Sequence, residues 1–137
     1  MKATLFNSPV NNVNLIGAVK LNDVSMVKML LDSGSNPNLL DTCKRSPLFY
    51  AIMNGNTLIV RTLLEHGGNA NWQSWDYREG CLLFCAVNNS HIEIFRLLMQ
   101  FGGVIENDWK DLLFRDACET GNLKIVNAVS EFIKVKN

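Results

Sequence analysis

Two stretches in the middle of the chain predict its architecture. Residues 46–56 read Ser-Pro-Leu-Phe-Tyr-Ala-Ile-Met-Asn-Gly-Asn, and residues 59–71 read Ile-Val-Arg-Thr-Leu-Leu-Glu-His-Gly-Gly-Asn-Ala-Asn. Pro47 suits the first turn of a helix, where its missing N–H is not needed, and Ser46 can cap that helix. The second stretch carries apolar pairs four residues apart, which form one face of a second helix, and Gly67 can end that helix in the left-handed conformation. Together they predict a helix–loop–helix unit.

The same pattern occurs four times. Ala18, Ala51, Ala86 and Ala117 are its fixed points, and they follow one another at intervals of 33, 35 and 31 residues. A period near 33 residues is typical of helix pairs that stack in a row, because no single pair can bury its apolar face alone. The pattern covers about residues 15–134. The predicted repeats are residues 8–40, 41–73, 74–106 and 107–137.

These stretches resemble the ankyrin repeat, whose usual form contains Thr-Pro-Leu-His, paired alanines and Gly-His, followed by Ile-Val, Leu-Leu and Gly-Ala. The resemblance implies an all-α ankyrin-repeat solenoid of four stacked helix–loop–helix repeats with protruding hairpin loops. It also implies a surface that binds other proteins, without naming the partner. Phe49 and Phe84 stand where the family usually has His, and we expect both to pack in the core.

Composition limits the possible partners. Lys and Arg number 13, as do Asp and Glu, so a formal net charge of zero provides no global field for nucleic acid or anionic lipid. No apolar run approaches the ~20 residues needed to span a bilayer. The first residues lack the apolar region of a signal peptide. We therefore expect a monomeric protein of the cytoplasm or nucleus that binds another protein, with no nucleic-acid partner, no membrane partner and no cofactor.

Cysteine spacing and motif content argue against a metal site and an enzyme. Cys81 and Cys85 are four residues apart, and the chain has no C-x-x-C pair or paired His of the kind that zinc sites show. Cys85 and Cys118 stand at helical positions beside core residues, where a free Cys behaves as a small hydrophobe. The sequence contains no phosphate-binding glycine loop, no H-E-x-x-H and no G-x-S-x-G. We expect structural thiols and neither catalytic nor metal-binding residues.

The loop between the second and third repeats is a candidate for partner contact. It is two residues longer than the regular spacing and holds Trp72, Trp75, Tyr77 and Arg78, which are residue types that dominate binding hot spots. The alternative is that Trp72 folds back over the adjacent hairpin as local core and that only Tyr77 is exposed. We predict that Trp75, Tyr77 and Arg78 contact the partner.

A second part of the predicted site lies along the first helices. In the ankyrin family the ends of these helices face the same side as the hairpins, and the position of Tyr50 tends to face the groove. The predicted groove residues are Tyr50, Met53, Asn54, Asn88 and Asn89. Aromatic anchors combined with adaptable polar groups suit protein recognition without bulk hydrophobicity.

Asn38 and Asn71 occupy equivalent positions in the first two repeats. Asparagines at this place are known in the ankyrin family as hydroxylation targets. Asn36 and Asn69 stand two positions earlier, where hydroxylated repeats usually have an acidic residue. We therefore favour a structural role in which the side chain bonds loop backbone.

The last repeat departs from the pattern. Residues 107–111 replace a hairpin, and the last helix carries charged residues that predict a polar outer end: Lys124, Glu131, Lys134 and Lys136.

Two function classes stay open. The first is a free-standing module that masks or inhibits its partner. The second is the recognition part of a larger adaptor, such as one that brings substrates to a ubiquitin ligase through a C-terminal box. This sequence has no such box, which favours the first class.

Overall fold

Every regular element in the described part of the chain is an α-helix. The computed structural model describes residues 9–72 and 81–136. Its helices are α1 (Pro9–Lys20), α2 (Val24–Asp32), α3 (Pro47–Met53), α4 (Thr57–Glu65), α5 (Leu82–Asn88), α6 (Ile92–Gln100), α7 (Asn107–Glu119) and α8 (Leu123–Lys136). They form consecutive pairs that stack in chain order, so the predicted all-α solenoid of helix–loop–helix repeats is confirmed.

The first helix of the second repeat begins as the sequence predicts. Pro47 is the first residue of α3, and Ser46 Oγ accepts a hydrogen bond from the backbone N–H of Phe49 at 3.3 Å. In the third repeat Cys81 precedes α5 and makes no side-chain capping bond. The two helices therefore begin at equivalent positions with different chemistry.

All four first helices end in a left-handed turn. The residues four positions after the repeated alanines are Asn22, Gly55, Ser90 and Gly121, with φ of 58°, 69°, 57° and 71°. Glycine adopts such angles without steric cost. At Gly55 space is also limited, because an added Cβ would lie 2.9 Å from His91 Cε1. The turn reverses the chain so that each second helix packs against its own first helix.

Side-chain caps and glycines delimit the second helices. Asp23 accepts a hydrogen bond from the N–H of Met26, and Asn56 accepts one from the N–H of Ile59, both at 3.1 Å. These bonds satisfy N–H groups that have no partner within the helix. The residues that follow α2, α4 and α6 in the left-handed conformation are Gly34, Gly67 and Gly102, with φ of 101°, 93° and 94°.

One continuous core runs through the stack. Consecutive first helices contact each other, and so do consecutive second helices. Ala51, Ala86 and Ala117 are fully buried, which allows neighbouring first helices to approach closely. Phe49 and Phe84 are buried as predicted.

A polar contact joins the second helices of the first two repeats. His66 Nε2 lies 2.9 Å from Asp32 Oδ1, and His66 Nδ1 lies 2.8 Å from the carbonyl oxygen of Thr62. The hydrogen bond to Thr62, followed by the one to the Asp32 carboxylate, raises the pKa of His66 above its ordinary value despite partial burial. Both acceptors favour the protonated ring, which donates from both nitrogens.

The end repeats have longer first helices than the middle repeats. α3 and α5 contain 7 residues each, whereas α1 contains 12 and α7 contains 13. Residues 107–111, which replace a hairpin in the sequence, form the start of α7. On α8 the charged side chains of Lys124, Glu131 and Lys134 are exposed, as predicted for an end helix.

The cysteines divide into a buried and an exposed pair. Cys81 and Cys85 are buried, and burial raises the pKa of the Cys81 thiol. Cys43 and Cys118 are exposed. The expectation that Cys118 packs as a small hydrophobe is therefore wrong, because α7 belongs to the last helix pair and its far side is uncovered in the described structure.

Candidate partner-binding surface

A row of side chains crosses the stack at the ends of the first helices. It consists of the second and third residues after each repeated alanine, and we call it the helix-end row. Its members are Lys20, Leu21, Met53, Asn54, Asn88, Asn89, Glu119 and Thr120. All are exposed except Thr120, which is half-buried. The row draws on all four repeats, so a partner segment that lies along it can touch each of them.

Among the predicted site residues that the structure describes, Met53 and Asn88 are the most available to a partner. Met53 ends α3 with 46% of its side chain exposed, and Asn88 ends α5 and is also exposed. A methionine adapts its shape to the apolar group that it meets, because it is unbranched and flexible. The two side chains are placed where the sequence predicted, at the ends of the first helices.

Asn54 and Asn89 are exposed, but their side-chain amides also donate hydrogen bonds within the stack. Asn54 Nδ2 donates to the carbonyl oxygens of Val19 at 3.3 Å and Lys20 at 3.4 Å, which ties the second repeat to the first. Asn89 Nδ2 donates to the carbonyl oxygen of Cys85 at 2.8 Å and lies 3.8 Å from the sulfur of Met53. These bonds fix the two amides, so part of their role is to hold the row in place.

Tyr50 is half-buried and anchors the loop that precedes its own helix. Its hydroxyl donates to Asp41 Oδ2, while Asp41 Oδ1 accepts from the backbone N–H groups of Cys43 at 2.9 Å and Arg45 at 3.0 Å. Burial alone would raise the pKa of Asp41, but these hydrogen bonds and the charge of Lys20 hold that pKa below its usual value. Burial and the hydrogen bond to Asp41 raise the pKa of Tyr50.

Cationic side chains lie on and beside this loop. The Lys20 ammonium lies 4.6 Å from the centroid of the Tyr50 ring, and the Arg45 guanidinium lies 4.7 Å from that of Phe49. Lys44 is exposed at the tip of the loop with a φ of 63°. The carboxylate of Asp41 is held within the loop by its hydrogen bonds to Tyr50, Cys43 and Arg45.

The start of α7 carries a local cluster of acidic side chains. Glu106 precedes α7, and Asp108 and Asp111 follow within its first turns, all three exposed. The cluster is local, because residues 107–137 contain as many basic as acidic side chains.

Sequence reasoning missed four members of the helix-end row. These occupy the same positions as the predicted residues, and they are Lys20, Leu21, Glu119 and Thr120. Leu21 is 80% exposed. The signal was present, because counting two and three residues onward from Ala18 and Ala117 finds them. They were overlooked because the end repeats match the family pattern less well.

The predicted loop residues Trp75, Tyr77 and Arg78 lie outside the described residues, so their role stays a prediction. Trp72 is described. It is half-buried and packs against the core with its ring centroid 6.5 Å from that of Phe49. For Trp72 the alternative of local core packing is confirmed.

Asn38 and Asn71 each join two repeats. Asn38 Nδ2 donates to the carbonyl oxygen of Gly67 at 3.0 Å, and its Oδ1 accepts from the N–H of Asn69 at 2.7 Å. Asn71 repeats this arrangement one repeat later with the carbonyl oxygen of Gly102 at 2.9 Å and the N–H of Val104 at 2.8 Å. The predicted structural role is confirmed, with the bonded backbone belonging to the next repeat.

Two further properties bear on possible ligands. Among the described residues, no group of three or more His, Cys, Asp or Glu side chains is placed to hold a metal ion. The helices of residues 9–72 and 81–136 are each too short or too polar to cross a bilayer.

A stack of helix pairs with an exposed row across it defines a repeat-type interaction module. The family model described as ankyrin repeats (3 copies) matches residues 15–108. This match covers more than half of the chain, which belongs to the ankyrin repeat family. Ankyrin repeats are generally protein–protein interaction modules and typically non-catalytic.

The chain spans only a small part of the length of the relatives that it matches. The chain is 28% identical over 116 residues to potassium channel AKT2/3 of Arabidopsis thaliana, covering 85% of this chain and 14% of the channel. It is 28% identical over 124 residues to transient receptor potential cation channel subfamily A member 1 of Homo sapiens, covering 88% of this chain and 11% of the channel. A putative ankyrin repeat protein of Acanthamoeba polyphaga mimivirus is 32% identical over 75 residues, which is 54% of this chain and 10% of the viral protein.

Proposed function

We propose that this chain binds a segment of another protein along the helix-end row and the neighbouring loops, and that it masks or inhibits the partner by covering that segment. The observation that carries the proposal is the row of exposed side chains that draws on all four repeats. Its framework is held by the internal bonds of Asn54 and Asn89. A binding surface held in place before association loses less conformational entropy when the partner arrives.

The side chains of the row suggest the chemistry of the partner segment. Leu21 and Met53 offer exposed apolar surface, and Asn88 offers an amide that both donates and accepts hydrogen bonds. Lys20, with the loop cations Lys44 and Arg45 nearby in the fold, favours acidic groups at the end of the first two repeats. We propose a segment that is acidic at this end and less acidic, or basic, towards α7.

The test begins with an affinity pulldown from native lysate on the immobilised chain, with mass spectrometry to identify the partner. A Met53→Ala/Asn88→Ala double variant should then lower the affinity at least tenfold, which corresponds to ~1.4 kcal/mol. The matched control is Leu58→Ala, which removes an exposed apolar side chain from α4, outside the row. An affinity of the double variant within about twofold of the wild type would exclude the row as the binding surface.

A parallel measurement addresses the loop between the second and third repeats. A Trp75→Ala/Tyr77→Ala variant should also weaken binding tenfold or more if these aromatic side chains are hot-spot residues. If the affinity stays within about twofold while the Met53→Ala/Asn88→Ala variant is impaired, the partner contacts the helix ends and not the loop.

The second candidate is the recognition part of a larger adaptor. The relatives favour it, because the segment that matches this chain is 14% of the plant channel and 11% of the human channel. The two candidates differ in one measurable property. A masking module lowers the partner's activity when added in stoichiometric amounts, whereas a recognition module binds and leaves that activity unchanged. Either role is proposed for the cytoplasm or nucleus, which fluorescence microscopy of the tagged protein tests.

A further inference from the structure

The burial of one repeated position changes at the end of the stack. Three residues before the repeated alanine stand Leu15, Leu48 and Leu83, each at most 1% exposed. In the last repeat this position is Phe114, and 38% of its side chain is exposed. The leucines lie on first helices that contact the first helix of the next repeat, whereas α7 has no next repeat in the described structure. Phe114 thus occupies a repeated position that no following repeat of the described structure covers.

Other residues on this side of the last repeat behave in the same way. One residue after the alanine, Val19, Ile52 and Val87 are fully buried, but Cys118 is exposed. An open groove of about 550 Å³ lies between α7 and α8. Its lining residues are Asp111, Phe114, Arg115, Cys118, Ser130, Ile133 and Lys134. We call this groove and its lining the trailing face.

In the described structure the first repeat leaves the complementary side exposed. Eight residues after the alanine stand Ile59, Ile94 and Ile125, each at most 1% exposed on a helix that contacts the second helix of the preceding repeat. The equivalent residue of the first repeat is Met26, which is 38% exposed, and Met29 on the same helix is 44% exposed. We call the surface formed by Met26 and Met29 on α2 the leading face.

The two faces are the separated halves of an interface that the molecule already builds. At each internal boundary the helices of consecutive repeats contact each other, and the positions that correspond to Phe114 and to Met26 are buried. We propose that a second copy of this chain places its leading face on the trailing face of the first copy, continuing the stack from one molecule into the next. The sequence led us to expect a monomer, so this contact departs from that expectation.

The chemistry of the faces suits this arrangement. Phe114 and Ile133 supply apolar surface on the trailing face, and Met26 and Met29 supply flexible side chains that can fill an irregular groove. A head-to-tail contact leaves one face of each kind free at the ends, so a translation-like repeat adds further copies instead of closing a dimer. The contact lies on the end faces and leaves the helix-end row accessible to a partner.

Sedimentation equilibrium of the 137-residue chain tests the contact. Between about 10 µM and about 1 mM, the range in which weak contacts become populated, the weight-average mass should rise past twice the monomer mass. Phe114→Glu blocks the trailing face and Met26→Glu blocks the leading face, and each variant alone should remain at the monomer mass. Their equimolar mixture retains one intact face of each kind, so it should reach the dimer mass and go no further.

Each of the other outcomes overturns the proposal. A wild-type chain that stays at the monomer mass at about 1 mM has no such contact. If Met26→Glu associates as the wild type does, like faces pair with each other and the head-to-tail arrangement is wrong. If the mixture stays monomeric, the two faces do not recognise each other. All substituted side chains are exposed, and far-ultraviolet circular dichroism confirms folding; Phe114→Lys and Met29→Lys replace any variant that fails to fold.

Discussion

The boundary between the second and third repeats and the outer face of the last repeat use the same sequence positions with opposite results. At the internal boundary Leu48 is buried and Asn71 bonds the backbone of the next repeat. On the last repeat the position of Leu48 is taken by exposed Phe114. The difference shows that burial in this fold is supplied by the neighbouring repeat, because an isolated helix pair cannot cover its own apolar faces. Substitutions of buried residues at the internal boundary should therefore lower the free energy of unfolding more than equivalent substitutions on the trailing face.

The largest effect is expected in the closed middle of the stack. Leu63→Ala should lower the free energy of unfolding by about 2–5 kcal/mol, because Leu63 is fully buried and a cavity would remain. Leu58→Ala, on the same helix but 55% exposed, should change it by less than about 0.5 kcal/mol. Urea denaturation followed by circular dichroism measures both. Equal effects of the two substitutions would contradict the assignment of Leu63 to the core.

An intermediate effect is expected from the amide bonds that join the repeats. Asn71→Ala removes the hydrogen bonds with Gly102 and Val104 and should lower the free energy of unfolding by about 1–2 kcal/mol. The control is Asn88→Ala, an exposed asparagine whose substitution should cost less than about 0.5 kcal/mol. The same denaturation experiment applies. A loss at Asn71 no larger than that at Asn88 would show that these bonds contribute nothing to the boundary.

A smaller loss of stability is expected from a substitution on the trailing face. Phe114→Ala should cost less than about 1 kcal/mol, whereas Leu83→Ala at the equivalent position of the third repeat should cost about 2–5 kcal/mol. Phe114 is already partly in water, so its removal loses less buried area. Denaturation at low micromolar protein concentration separates the two. If both substitutions lower the free energy of unfolding equally, Phe114 is buried as well as Leu83.

The smallest effect should depend on pH. The pKa of His66 is raised in the folded state, so its contribution to stability is complete below the unfolded pKa and is lost as pH rises through the folded pKa. The stability advantage of the wild type over His66→Gln should thus be greater near pH 5.5 than near pH 8.5, by less than about 1 kcal/mol, because the contact with Asp32 is partly exposed. Thermal unfolding at the two pH values measures the difference.

The control for this prediction removes the partner of the imidazole. Asp32→Asn should reduce the pH dependence, because the carboxylate that favours the protonated ring is gone. A wild-type advantage that is the same at both pH values would show that His66 titrates normally in the folded chain.

Much of the fold and part of the candidate site could be predicted from the sequence. The helix pairs follow from the spacing of the alanines, and the core role of Phe49 and Phe84 follows from their positions in the pattern. Met53 and Asn88 were placed at helix ends by counting from the same alanines. The bond between Tyr50 and Asp41 was not predicted, because nothing in the local pattern indicates which side chain a tyrosine hydroxyl meets.

By itself, the sequence determined the order of the helix pairs in the described residues and which face of each helix is apolar, since both depend on spacing within about 33 residues. Only the tertiary structure decided at which of several equivalent positions the side chain is buried. Leu83 and Phe114 have the same place in their repeats, and what separates them is whether the described structure contains a following repeat. The inter-repeat bonds of Asn54 and Asn71 were decided in the same way. Burial and hydrogen bonding across repeats join residues about 30 positions apart, and a pattern within one repeat carries no record of what packs against it.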